Sequence, residues 1–141
     1  MRNKKAYMKK IFLLLFVVTV LISCKKQQSG IVMNCEQFKQ GIIANSEGRV
    51  KAEIEKLCQD LFPVVSATDE WGHRNNFIKL AQRISQQCGI DARVDCYACI
   101  KTFPPQTEIL VSFTNNGVLV KKTLDISTSS TNKLTFLKMH D

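Results

Sequence analysis

The alternation of apolar and polar positions divides the chain into an apolar opening, a helical middle and a strand-rich end. Residues 11–22, IFLLLFVVTVLI, are apolar except for Thr19. A helix needs about 20 such residues to cross roughly 30 Å of hydrocarbon. This shorter run matches the apolar core of a secretory signal. Val50, Ile54, Leu57, Cys58 and Leu61 then recur at spacings of three and four, which predicts an amphipathic helix over 47–61. Ser46 suits its N-cap and Pro63 blocks its continuation. Phe77, Leu80, Ala81, Ile84 and Cys88 predict a second helix over 75–88, closed by Gly89. The stretch NCEQFKQGIIANSEG, 34–48, is ambiguous. Phe38, Ile42 and Ile43 suit a helical turn, whereas Gly41 and Gly48 each weaken a helix by about 1 kcal/mol relative to alanine.

After Gly89 the period changes to two. In ARVDCYACIK, 92–101, Val94, Cys96, Ala98 and Ile100 point one way and Arg93, Asp95, Tyr97 and Cys99 the other. Pro104 and Pro105 end that strand. TEILVSFT (107–114) and VLVKKTLDI (118–126) flank Asn116-Gly117, a dipeptide suited to the positive dihedrals of a type I′ hairpin. After the loop STSSTN, KLTFLKMH (133–140) reads as a fourth strand. The pattern predicts an α+β fold: two helices packed on a three- to four-stranded antiparallel meander sheet.

The N-terminus states an address. Arg2, Lys4, Lys5, Lys9 and Lys10 precede the apolar run without an acidic residue, the charge arrangement that keeps this end cytoplasmic. The run closes on Leu21-Ile22-Ser23-Cys24, followed by KKQQSG. This resembles the lipobox of bacterial lipoproteins. The resemblance covers residues 1–24 and implies that Cys24 receives a diacylglyceryl thioether, that signal peptidase II cuts before it, and that the new amino group is acylated, with chains such as palmitate. Two or three acyl chains anchor a protein stably where one does not. The implied organisation is a signal peptide over 1–23, a lipidated tether over 24–33 and one α+β domain over 34–141. In this family Asp after the modified cysteine retains a protein at the inner membrane. Lys25 therefore implies the outer membrane, and the lack of acidic residues in the tether favours its periplasmic face.

Removing the signal changes the charge argument. The whole chain carries +8, but residues 24–141 hold fifteen basic and twelve acidic residues, a net +3. Lys25 and Lys26 belong to the tether, which leaves the domain at +1. A nucleic-acid partner is not expected, because such domains carry a basic surplus. The tether lysines suit anionic head groups instead.

Five cysteines remain beside Cys24: Cys35, Cys58, Cys88, Cys96 and Cys99. An exported chain permits disulfides, so two bridges and one free thiol are expected. Cys96 and Cys99 lie three apart in a strand, about 10 Å by the usual rise, whereas a disulfide needs Cα atoms within about 7 Å. They are expected to pair elsewhere, with Cys88 the best partner for one of them. Cys58 faces the sheet from its helix and suits a helix-to-sheet staple. Cys35 would tie down the N-terminal segment. A redox role for Cys96-Tyr-Ala-Cys99 is the alternative, but redox pairs lower a thiol pKa at a helix N-terminus, and these sit in a predicted strand.

Other chemistry finds little support. Cys88, Cys96 and Cys99 with His73 match no standard zinc spacing, so no metal site and no cofactor beyond the covalent lipid is expected. His140 reads as solvated. No serine has a G-x-S-x-G setting, so no catalytic residue is assigned. Asp69 and Glu70 read as a helix cap rather than an acid–base pair. Trp71 and Arg74, and separately Arg93 and Tyr97 on one strand face, are the candidate partner contacts. The reading is a lipid-anchored cell-envelope protein that presents a small disulfide-stabilised binding domain, of inhibitor or immunity type, to an envelope protein. A thiol–disulfide protein and a structural envelope component are the alternatives.

Overall fold

Three helices lead: α1 (Cys35–Ile43), α2 (Glu47–Cys58) and α3 (Glu70–Cys88). Four strands follow: β1 (Asp91–Val94), β2 (Gln106–Asn115), β3 (Val118–Thr128) and β4 (Leu134–His140). The computed structural model describes residues 30–59, 62, 64–95, 104–128, 131 and 133–141. The strands form one antiparallel sheet in the order β1-β2-β3-β4. The α+β meander read from the sequence is therefore the fold, with one more helix. The signal, the lipobox, Leu61, Pro63 and the strand positions from Cys96 onward lie outside the described residues.

The added helix is α1, in the ambiguous stretch. Asn34 caps it, accepting from the Gln37 amide at 3.1 Å, and Phe38 and Ile42 are fully buried. Gly41 costs helix propensity but makes room for packing. A Cβ there would lie 3.0 Å from Val50 Cγ2 and 3.1 Å from Arg49 Cβ. The glycine that argues against a helix thus lets α1 and α2 approach. Ser46 stands at the N-cap of α2 without a side-chain cap bond. α3 starts at Glu70, five residues before its apolar stripe suggests, and Gly89 closes it with φ +60°.

The hairpin forms as its turn residues require, with φ of 49° at Asn116 and 78° at Gly117. Pairing runs from Asn115↔Val118 to Gln106↔Ser127. A bulge shifts the β3–β4 register between Asp125 and Ile126. It allows Phe136 and Met139, three residues apart, both to be buried, which simple alternation forbids.

The helices cover one face of the sheet, α2 against β4 and α3 against β1. Val50, Ile54 and Leu57 of α2 and Phe77, Leu80 and Ile84 of α3 meet Ile109, Val111, Leu124 and Ile126 in one core. Each such side chain contributes roughly 1.5–3 kcal/mol when fully buried.

Cys35 and Cys88 are bonded, with Cα atoms 5.2 Å apart. This corrects two pairings. Cys88 joins α1 rather than Cys96 or Cys99, because the first turn of α1 sits beside the last turn of α3. Cys58 staples nothing: it is a free, buried thiol. Burial, with the nearby Glu55 charge, pushes its pKa up to about 12.

One compact unit spans Ile31–Asp141. Gln87 holds the entering chain, its Oε1 accepting from the Met33 amide at 2.9 Å and its Nε2 donating to the Ile31 carbonyl at 3.2 Å. The buried Glu53 carboxylate accepts from the Asn34 amide and from Lys56 Nζ, both at 2.6 Å.

Candidate interaction surface

The loop before α3 and the helix's N-cap fix the first turn of α3, which carries Trp71. Asp69 caps the helix by accepting from the Gly72 amide at 3.0 Å, as expected of this acidic pair. Its own amide donates to the Ser66 carbonyl at 2.9 Å. His73 is fully buried beneath the loop and its Nε2 donates to that same carbonyl at 2.9 Å. Its Nδ1 has no hydrogen-bond partner among the described residues. Val65 turns inward, and a Cβ on Gly72 would lie 2.4 Å from Val65 Cγ1 and 2.5 Å from Asp69 Oδ2. Only glycine allows the loop to lie this close to the helix.

On this support Trp71 is 70% exposed and Val64 66% exposed. The Arg74 guanidinium lies over the indole, 5.4 Å from the ring centroid. Such a contact is worth about 0.5–1 kcal/mol at an exposed site. An exposed indole held by a stacked arginine in the capped first turns of α3 is pre-organised for contact, and these residue types dominate binding energy at interfaces. Trp71 and Arg74 are thus brought together. Arg93 is apart from them: its neighbour Ala92 is buried while Arg93 is exposed on the sheet face away from the helices. Tyr97 lies outside the described residues.

Of the cysteines and histidine weighed as metal ligands, Cys88 is bonded to Cys35 and His73 Nε2 donates to the Ser66 carbonyl, while Cys96 and Cys99 lie outside the described residues. A different cluster stands on the open sheet face. Glu108 and Asp125 are directly opposed on β2 and β3. His140 of β4 joins them, and one ligand atom from each lies within 4.8 Å of the others. His140 Nε2 is 2.9 Å from Asp125 Oδ1 and its Nδ1 is 3.2 Å from the Asp141 backbone oxygen. The Asp125 carboxylate first, then that backbone oxygen, raise the imidazole pKa. Lys122 bonds the Asp141 carboxylate and holds it below its usual range. His140 is exposed, as the sequence suggested, but it is engaged on both ring nitrogens. The one signal that pointed toward this cluster was the hairpin turn, which sets Glu108 against Asp125.

No protein-family model, curated protein or solved structure matches the chain.

Proposed function

We propose that the chain is a lipid-anchored protein of the bacterial envelope, whose domain binds an envelope protein through the surface formed by Trp71 and Arg74. The Cys35–Cys88 bond carries this reading. Such bonds persist in oxidising compartments, the destination that the N-terminal signal and Leu21-Ile22-Ser23-Cys24 imply. Cys24 is then the lipidated residue. Only a short polar segment separates it from Ile31, where the chain is fastened to α3. The protein would present a rigid domain close to a membrane surface, with the outer membrane and its periplasmic leaflet as the expected site. The nearly neutral domain and the supported indole suit an inhibitor or immunity-type binder.

Two measurements in a bacterial host test this. Labelled fatty acid should enter the chain and be lost in Cys24→Ala. A photo-crosslinking residue at position 71 should give one discrete protein adduct in intact cells, whereas the same probe at Lys51 should not. Absence of lipid, or equal cross-linking at both positions, would contradict the reading.

A second reading retains redox chemistry. Cys35 and Cys88 are bonded and Cys58 is buried with a raised pKa, so it would rest on Cys96 and Cys99 alone. Turnover of a model disulfide that is lost in Cys96→Ser would favour it over the binding role.

A further inference from the structure

We propose that Glu108, Asp125 and His140 form a binding site for a divalent transition-metal cation of the Zn²⁺ class on the open face of the sheet. Three adjacent strands each supply one ligand: Glu108 from β2, Asp125 from β3 and His140 from β4. Their ligand atoms already lie within 4.8 Å of one another, so binding requires side-chain adjustment and no rearrangement of the sheet.

Two independent features point to a cation. The first is electrostatic. Glu108 and Asp125 are directly opposed in the β2–β3 register, and like charges so placed destabilise a sheet. Among the described residues, Lys138, with Nζ 3.5 Å from Asp125 Oδ2, and His140 lie against this pair. Both contact Asp125, and the imidazole also stands within 4.8 Å of the Glu108 carboxylate, so a cation held by all three ligands would sit between the two opposed acids. The second feature is the orientation of His140. Its Nδ1 faces the backbone oxygen of Asp141 at 3.2 Å. Metal-bound histidines characteristically donate their second ring N–H to a carbonyl or carboxylate, which fixes the tautomer that aims the other nitrogen at the metal. Here that other nitrogen, Nε2, points at Asp125.

Mixed imidazole and carboxylate donors select the ion. Zn²⁺ accepts nitrogen and oxygen ligands in a tetrahedral set, whereas Ca²⁺ and Mg²⁺ require oxygen ligands in greater number. Three protein ligands and one water complete the Zn²⁺ shell. On binding, the N–metal bond at His140 Nε2 replaces its N–H bond and the proton leaves to solvent. The hydrogen bond between His140 and Asp125 becomes a shared bond to the ion, and Lys138 moves off Asp125.

The test is titration of the full chain in detergent micelles with Zn²⁺ alone at neutral pH, followed by a zinc-indicator competition assay. One equivalent should bind, and His140→Ala and Asp125→Asn should each weaken it by roughly tenfold or more. Unchanged affinity in both variants would overturn the site, whichever thiols then held the ion. NMR of the unsubstituted chain gives a reading independent of any variant. The His140 imidazole resonances should shift and saturate at one equivalent, and those of the buried His73 should stay fixed. Movement of neither, or Ca²⁺ producing the same shift as Zn²⁺, would contradict the assignment.

Discussion

Cys35 and Cys88 fasten the first turn of α1 to the last residue of α3 across a sequence separation of 53, with their Cα atoms 5.2 Å apart. The bond closes a loop that contains every helix of the described fold. Loop-closure entropy for that length gives about 4 kcal/mol of stabilisation. Reduction, or the Cys35→Ser and Cys88→Ser pair, is therefore expected to lower the unfolding free energy by roughly that amount. Urea unfolding with and without reductant measures it. An unchanged midpoint would show that the bond is absent in solution or unimportant to the fold.

The entering chain depends on Glu53 as well as on the bridge. Its carboxylate is buried and accepts from the Asn34 amide at 2.6 Å. Glu53→Ala leaves that N–H without its acceptor and is expected to cost about 2–3 kcal/mol. Glu53→Gln retains an acceptor oxygen and should recover most of the loss. Equal destabilisation by both variants in chemical denaturation would assign the effect to charge rather than to the Asn34 bond.

Two glycines should respond in opposite directions to alanine. At Gly72 the new methyl would meet Val65 and Asp69 at 2.4 and 2.5 Å, so Gly72→Ala is expected to cost about 1–3 kcal/mol. At Gly48, within α2, nothing lies within 4 Å of the added carbon. Gly48→Ala is expected to add about 0.4–1 kcal/mol, chiefly by restricting the unfolded chain. Thermal unfolding of the two variants side by side decides both.

Most of the scaffold was legible because two simple signals dominate it. Val50, Ile54 and Leu57 on α2, and Phe77, Leu80 and Ile84 on α3, keep helical spacing and are all buried. Asn116-Gly117 fixes a two-residue turn, and counting back from it sets Glu108 opposite Asp125. α1 was obscured because Gly41 lowers helix propensity for a packing reason that one segment cannot reveal. The Cys35–Cys88 pairing was hidden for a similar reason: it depends on how α1 lies against α3, whereas reasoning along the chain favoured the nearer Cys96 and Cys99. His140 was missed because a longer connection and the bulge near Asp125 decouple the β3–β4 register from the hairpin.

Cys58 offers a pH test. Its thiol is raised from 9.0 to about 12 by burial. Unfolding exposes it and lets it ionise at the lower value. The contribution of the neutral thiol is therefore fully present below pH 9.0 and is lost as pH rises toward 12. Within that window the loss approaches about 1.4 kcal/mol per pH unit. Cys58→Ala should remove this component from the alkaline stability curve. An alkylating reagent at neutral pH should leave Cys58 unmodified until the protein is unfolded. Rapid labelling under native conditions would contradict its burial.

Trp71→Ala separates binding from folding. The indole is mostly exposed, so the unfolding free energy should change by less than about 1 kcal/mol. Affinity for the cross-linked partner, once purified, should fall about tenfold or more. A stability loss with intact binding would make Trp71 part of the scaffold instead.

The most direct measurement is mass spectrometry of the chain extracted from bacterial membranes, mapped without reduction. The expected result is an N-terminus at acylated Cys24, one cross-linked peptide pair containing Cys35 and Cys88, and Cys58 alkylated only after denaturation. An unprocessed chain beginning at Met1, with Cys35 and Cys88 both reduced, would contradict it.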